Sequence, residues 1–499
     1  MEVVWQGLLA ALTPASIGMI LLGVFVGIIV GIVPGIGAGV GLSLLLPIIF
    51  NIPPVYGLML LLALWAADGY GASISSILLR VPGGAGAVAT CFDGYPMAQQ
   101  GKAGEAIGIS MAASMVAGII GTLVLMMVAP PIAKLAVKVG PAEYTILGAL
   151  GMTLIGGLSS KEPIKGLISA VIGLMTSFIG YDLITGFVRY NFGTEYLFDG
   201  VDLELALIGV FAIASLVDAG QEGGTVAQLG KTTGSVLKGF AEALKRPVSV
   251  IRASLVGVVL GSLPGIGITL ASLAAYDVEK RYSKRPEEFG NGAVEGIIGP
   301  EAANNSTQPA SLIPTLTLGI PAGSTSAVFL GALMIYGITP GINLFQHKGP
   351  FVWTLMWGII VASFAYVIVG LLFANFFAKL TVLPIEYLVP ITLATSFIGA
   401  YTVNSSYNDL LVAFLYGVLG YVMTVLKYPA APAVLGVVIG PILEKNYFRA
   451  LLISEGSYKI FVSTPLTIAL WILLAMVVFG PYGVRSIRKV IKPSGAARA

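Results

Sequence analysis

The chain has 499 residues, 57% of them hydrophobic and 10% charged, with a formal net charge of +3. A soluble domain carries roughly 25% charged residues, so this composition excludes a soluble enzyme, the small charge gives no basis for nucleic-acid binding, and a multi-pass protein of the lipid bilayer is left. Cys91 and His347 are the only residues of their kinds, which excludes an intrachain disulfide and a histidine-built metal site.

Residues 1–16 contain Glu2, no Lys or Arg and no separate short apolar core. A cleavable signal peptide is therefore not expected, and the first apolar segment should stay as a helix. Two apolar arms then flank Gly31-Ile-Val-Pro-Gly-Ile-Gly37. Pro34 lacks a backbone N–H and clashes with the preceding turn, so no regular helix passes through it. Each arm has about half the roughly 20 residues that span a bilayer, or slightly more. The pair is either a re-entrant hairpin or one long broken helix. Tyr56–Ala67 is apolar and leads through Asp68-Gly-Tyr-Gly71 into a run cut again at Pro82-Gly-Gly84, and a polar stretch from Asp93 to Gly104 closes this region. Apolar helices are expected at about 106–129, 143–158, 164–180 and 203–217.

Residues 218–247, with Lys231, Lys238, Lys245 and Arg246, read as a linker between two halves. The signature of the first break returns as Gly261-Ser-Leu-Pro-Gly-Ile-Gly267, 230 positions later, and Pro82 matches Pro321 at a shift of 239. Pro141-Ala-Glu-Tyr144 matches Pro384-Ile-Glu-Tyr387 at a shift of 243. Further helices are expected at about 351–379, 385–400, 407–426 and 430–443, and residues 461–481 form an additional helix without a counterpart. The organisation is thus a first transmembrane repeat over 1–217, a cytoplasmic linker over 218–247, a second repeat over 248–460, and an extra helix with a basic cytoplasmic tail over 461–499. Lys245, Arg246 and Arg252 lie on one side of the second break and Lys280, Arg281, Lys284 and Arg285 on the other, whereas segments 1–16 and 51–70 around the first break carry no basic residue. Basic residues mark cytoplasmic ends, so equivalent ends face opposite compartments. The fold class this predicts is an all-α polytopic membrane protein of two inverted-topology repeats with Pro-Gly-broken helices.

Backbone broken at membrane depth is tolerated only where protein or a wet cavity surrounds it, and a pair of matched breaks points to a transporter's binding site. A helix that starts after such a break aims free N–H groups and its positive end at whatever fills the gap, which suits an anion. Candidate substrate contacts are therefore Pro34, Gly35 and Gly37, with Gly83, in the first half, and Pro264, Gly265 and Gly267 in the second. Ser73, Ser324 and Thr325 add hydroxyls, and Arg80 adds a guanidinium able to fork onto a carboxylate. The plain alternatives are a kink that improves packing, ordinary helix capping, and an Arg80 that pairs with Asp68 or Asp93 or reaches the surface. In Glu301-Ala-Ala-Asn-Asn-Ser306, Asn304 and Asn305 offer amide oxygens to a cation and Glu301 offers a proton carrier; the alternative is an interfacial loop.

Asp93-Gly-Tyr-Pro-Met-Ala-Gln-Gln-Gly-Lys-Ala-Gly104, Pro300-Glu-Ala-Ala-Asn-Asn305 and Pro314-Thr-Leu-Thr-Leu-Gly-Ile-Pro321, with the two Pro-Gly-Ile-Gly breaks, resemble the large membrane subunit of the tripartite tricarboxylate transporters over about residues 18–445. The resemblance implies uptake of carboxylates across a bacterial inner membrane, with a small membrane subunit and a periplasmic solute-binding protein as partners and a sodium or proton gradient as drive. A homodimer is a further assembly left open. Arg80 departs from the small or amide residue typical of that family at this place, which leaves the exact substrate open.

The reading is a cation-coupled secondary transporter for a di- or tricarboxylate, without a cofactor and with co-transported sodium or proton. Moving one charge against 100 mV costs about 2.3 kcal/mol, so a trianion costs about 7 kcal/mol and needs about three cations to offset it. Two other classes remain: a channel for small anions without ion coupling, and an intramembrane enzyme. The second lacks a Gly-x-Ser-x-Gly elbow and a His-Glu-x-x-His pair, so no catalytic residue is assigned.

Overall fold

The computed structural model describes residues 2–33, 37–136, 139–158, 163–182, 186–213, 234–374, 376–377 and 385–476. Pro34, Gly35, most of the linker and the basic tail lie outside them. In the first half, α1 (Glu2–Ala11) leads into α2 (Pro14–Ile32), α3 (Gly37–Ile49), α4 (Pro54–Leu79), α5 (Thr90–Met97) and α6 (Ala103–Ala136), followed by α7 (Pro141–Leu158) and α8 (Pro163–Thr176). In the second half come α9 (Val236–Leu244), α10 (Pro247–Gly261), α11 (Gly267–Tyr282), α12 (Val294–Leu318), α13 (Ser324–Ile335) and α14 (Gly349–Leu372). Then follow α15 (Ile385–Asn404), α16 (Tyr407–Val425), α17 (Ala430–Ile453) and α18 (Pro465–Met476). Among the described residues five helical stretches are long and apolar enough to cross a membrane, and the strand content is one two-residue pair. The chain is an all-α multi-pass membrane protein.

The choice between a hairpin and one broken helix is settled by close helix contacts. A Cβ at Gly23, Gly27 or Gly31 of α2 would sit 2.4, 2.3 or 2.2 Å from the carbonyl oxygens of Leu60, Leu64 and Asp68 in α4. Residues four apart lie on one face of a helix, so this stripe of small residues lets two backbones touch. The contacts ascend together along both helices, so α2 and α4 run parallel, and α3 is the returning arm of a hairpin. The second half repeats this: Gly257 and Gly261 of α10 meet the backbone of Ala303 and Thr307 in α12, with α11 as the returning arm. In register these contacts shift by 239 positions along the central helices, as Pro82 and Pro321 do.

The leading helices exchange between halves. Helix α1 packs on α14, where Trp357 Nε1 donates to the Val4 carbonyl at 3.1 Å, and α9 packs on α6, where Lys238 pairs with Glu105 at 2.8 Å. Helices α4 and α12 are the centre. The most apolar stretch of α4 is wholly buried inside the protein, and so is Gly296–Thr317 of α12. Asn304 and Asn305 therefore lie in a buried helix and not in an interfacial loop.

One polar clamp ties the halves together. The Asp93 carboxylate of α5 accepts from the N–H groups of Gly290, Gly292 and Ala293 at 2.8 Å each and from the Tyr276 hydroxyl at 2.9 Å. A carboxylate before the first turn of a helix complements its free N–H groups and positive end, so α5 caps α12 across the repeat boundary. Arg252 forks onto Glu279 at 2.8 and 2.5 Å, and Arg246 reaches both Glu242 and Glu295, so the basic residues at this end of the second half are held by ion pairs.

Candidate functional site

Where α4 and α12 cross, side chains must be small or must interlock. A Cβ at Gly69 would lie 2.9 Å from Gln308 Nε2 and 3.0 Å from Asn305 Oδ1, so the absence of a side chain there admits two amides. A Cβ at Gly86, just past the first-half break, would lie 2.1 Å from Asn304 Oδ1. Beside this crossing is a cavity of about 430 Å³. Its walls come from both halves: Gly37 and Gly39 at the start of α3, Asp68 and Gly69 of α4, the Pro82–Gly86 break, Asn304 and Gln308 of α12, and Ser324 and Thr325 at the start of α13.

The breaks themselves are closed by backbone contacts. The Gly83 N–H donates to the Ala72 carbonyl at 3.3 Å, and a Cβ on Gly83 would fall 1.9 Å from the Gly31 carbonyl, so only glycine lets the two first-half breaks meet. In the second half the Gly265 N–H donates to the Ala322 carbonyl at 3.1 Å and joins the same two breaks. Gly37, Gly265 and Gly267 have φ of +61°, +87° and +76°, in the left-handed region that favours glycine.

Of the residues singled out in the sequence, Gly37, Gly83, Asn304, Ser324 and Thr325 line the cavity. Pro264, Gly265 and Gly267 do not form part of its wall, whereas the neighbouring Ile268 does. Pro34 and Gly35 lie outside the described residues. Four candidates are placed elsewhere, each for a physical reason. Ser73 is fully buried and donates to Glu301 Oε2 at 2.5 Å and to the Gly69 carbonyl at 3.0 Å, so its hydroxyl is already engaged. Asn305 donates to Ser114 Oγ at 2.7 Å and to the Glu301 carbonyl at 3.2 Å, which turns its amide towards α6. Glu301 is fully buried away from the cavity, and its carboxylate accepts from Ser73, Thr90, Ser110 and Ser114. Arg80 is exposed, ends α4 in the left-handed conformation at φ +60°, and lies over the Tyr95 ring at 5.7 Å.

Asp68 and Gln308 also line the cavity, and neither is a candidate site residue from the sequence alone. The available signal for Asp68 was an acidic residue inside an apolar span, a position that is costly in a membrane and calls for a partner.

An all-α membrane protein with matched helix breaks beside a cavity walled by both halves has the build of a membrane transporter. The chain belongs to the Tripartite tricarboxylate transporter TctA family, whose model matches residues 17–435. Membership makes it the large membrane component of a three-part transporter, with a small membrane subunit and a periplasmic binding protein as the other parts. An uncharacterized 52.8 kDa protein in the TAR-I ttuC' 3' region of Agrobacterium vitis is 37% identical over 465 residues, covering 93% of this chain and 92% of that protein. A second protein, from the TAR-II ttuC' 3' region of the same organism, is 40% identical over 214 residues, covering 43% of this chain and 88% of its own length. No solved structure matches the chain significantly.

Proposed function

We propose that this chain imports a di- or tricarboxylate across the bacterial inner membrane, that a periplasmic solute-binding protein delivers the substrate, and that sodium travels with it. The observation that carries the reading is the cavity of about 430 Å³ into which two helices begin, α3 at Gly37 and α13 at Ser324. One comes from each half. Free N–H groups and the positive ends of two helices suit carboxylate groups at both ends of one anion. The Ser324 and Thr325 hydroxyls add neutral donors, and pockets of roughly 300–1,000 Å³ suit small organic ligands. Sodium rather than a proton fits the hard neutral oxygens that Asn304, Gln308 and the broken backbone offer.

The repeated hairpin and the exchange of α1 and α9 between halves support alternating access by two repeats, and the asymmetry of Lys and Arg supports their inverted orientation, with residues 1–16 periplasmic and 218–247 and 485–499 cytoplasmic. The test is uptake into proteoliposomes that hold both membrane subunits and receive the binding protein, with a panel of carboxylates, sodium or choline as cation, and an imposed pH gradient. Saturable uptake that needs inward sodium is expected. Full uptake without sodium, following the pH gradient, overturns sodium coupling, and non-saturating flux without any gradient favours a channel.

A further inference from the structure

We infer that Asp68 is the residue through which sodium and carboxylate are coupled: a sodium ion seated on its carboxylate makes the cavity able to accept an anion. This inference rests on the proposed carboxylate site and adds the group that makes occupation by ion and substrate interdependent.

Asp68 is nine-tenths buried, on a helix whose central stretch is enclosed, and it lines the cavity. Among the described residues its Oδ1 has no hydrogen-bond partner, and no ion pair reaches the carboxylate. Among the described residues the backbone N–H of Ala38, in the first turn of α3, is the one group that interacts with the carboxylate. An ionised buried carboxylate with one oxygen unpartnered and no counter-ion is strongly unfavourable. Glu301 shows how this protein treats a carboxylate that only has to be stable: four hydroxyls surround it.

The repeat gives a second, independent reason. At the shift of 239, the counterpart of Asp68 is Thr307. Thr307 donates from Oγ1 to the Gly257 carbonyl at 3.0 Å, and it packs on Gly261 as Asp68 packs on Gly31. The fold therefore accepts a neutral, locally satisfied side chain at this register, and the helix contact does not require an acid.

The surroundings supply what a small cation needs. Asn304 and Gln308 line the same cavity and carry amide oxygens, and Thr325 and Ser324 carry hydroxyl oxygens. One carboxylate among neutral oxygens is a hard-donor set of the kind sodium takes. With Asp68 ionised and bare, the cavity repels an anion. With sodium on it, that repulsion is gone, and the cation can also touch the substrate. By linkage, the anion then raises the affinity for sodium by the same factor as sodium raises that for the anion.

The experiment uses the purified complex of both membrane subunits. Thermal stability is titrated with NaCl, with KCl and choline chloride as controls and no carboxylate present, and binding of a radiolabelled tricarboxylate is then titrated with and without sodium. For wild type, a sodium-specific stabilisation is expected, and sodium tightens carboxylate binding. Losing an outer-shell partner already costs about 10-fold or more in metal affinity, so Asp68→Asn should weaken the sodium response at least that much. The same change should leave carboxylate binding nearly indifferent to sodium, because the repelling charge is gone. Asp68→Thr, which installs the side chain that the other half uses at this register, is the second variant if Asp68→Asn does not fold. Wild-type sodium dependence in either folded variant overturns the inference. So does the absence of any sodium-specific stabilisation in wild type, even where carboxylate uptake is intact. Sodium stabilisation that needs Asp68, without carboxylate binding, instead sinks the substrate reading and leaves the ion site standing.

Discussion

The two halves share a scaffold and divide the chemistry. Helices α4 and α12 hold equivalent places, each parallel to the first arm of its own hairpin and each ending in the left-handed conformation, at Arg80 and at Gly319. At the shift of 239, however, Leu62, Trp65, Ala66 and Gly69 of α4 stand opposite Glu301, Asn304, Asn305 and Gln308 of α12, while Asp68 stands opposite Thr307. The second half has taken up a buried polar face and the first has kept one acid beside the space that glycines leave for it. Backbone contacts set by glycine repeat because a duplicated fold needs them twice. A site between the halves is needed once, so its residues need not repeat.

The largest effect should come from Glu301. Glu301→Leu leaves Ser73, Thr90, Ser110 and Ser114 without their shared acceptor, about 1–3 kcal/mol for each hydroxyl that finds no replacement. The yield of monodisperse protein and its melting temperature should both drop sharply. Glu301→Gln keeps the shape and an acceptor oxygen while the hydroxyls can turn to accept from its NH₂, so it should fold and retain sodium-driven uptake. If the Gln variant folds but its uptake is lost along with any response to pH, Glu301 is a proton carrier and the comparison must be redrawn around it.

A smaller effect tests the equivalence of Asp68 and Thr307. Thr307→Val removes one hydrogen bond to the Gly257 carbonyl, about 1 kcal/mol. Melting should shift slightly, and the sodium concentration for half-maximal uptake should not change. A large change in sodium dependence would mean that the second-half position also serves the ion.

How much of this was legible in the sequence follows from the range of each interaction. The breaks were readable because proline forbids a regular helix locally, and the repeat because its signature recurs at a fixed distance. The hairpin was not readable from that signature, since a kinked helix has the same residues; the stripe Gly23, Gly27, Gly31 decides it through contacts with α4, which no local pattern contains. Ser73 pointed to substrate only while its partner was unknown, and that partner, Glu301, lies 228 positions away. Asn304 and Asn305 looked alike in sequence, yet adjacent residues on a helix point about 100° apart, so one faces the cavity and the other faces α6.

The smallest effect concerns Arg80, the residue in which the sequence suggests a ligand and the structure gives a cap. Both central helices end by turning left-handed, and at that point the second half has Gly319 while the first has Arg80, with φ of +69° and +60°. For an L-residue with a side chain that conformation costs about 1 kcal/mol, and glycine removes most of the strain but gives back some of the gain through a freer unfolded chain. The Arg80 side chain is exposed and stacks over Tyr95 outside the cavity, so its removal forfeits a surface cation–π contact of about 0.5–1 kcal/mol. These terms nearly cancel. Arg80→Gly should leave melting within about 1 kcal/mol of wild type and should leave both the affinity for carboxylate and its maximal uptake unchanged. A guanidinium that forks onto the substrate would behave differently, since losing a charge-assisted pair weakens binding by about 1.5–3 kcal/mol, or more than ten-fold in the half-saturating concentration. Uptake kinetics of Arg80→Gly beside Arg80→Lys separate the two: a ten-fold loss in both would move Arg80 from the cap into the site.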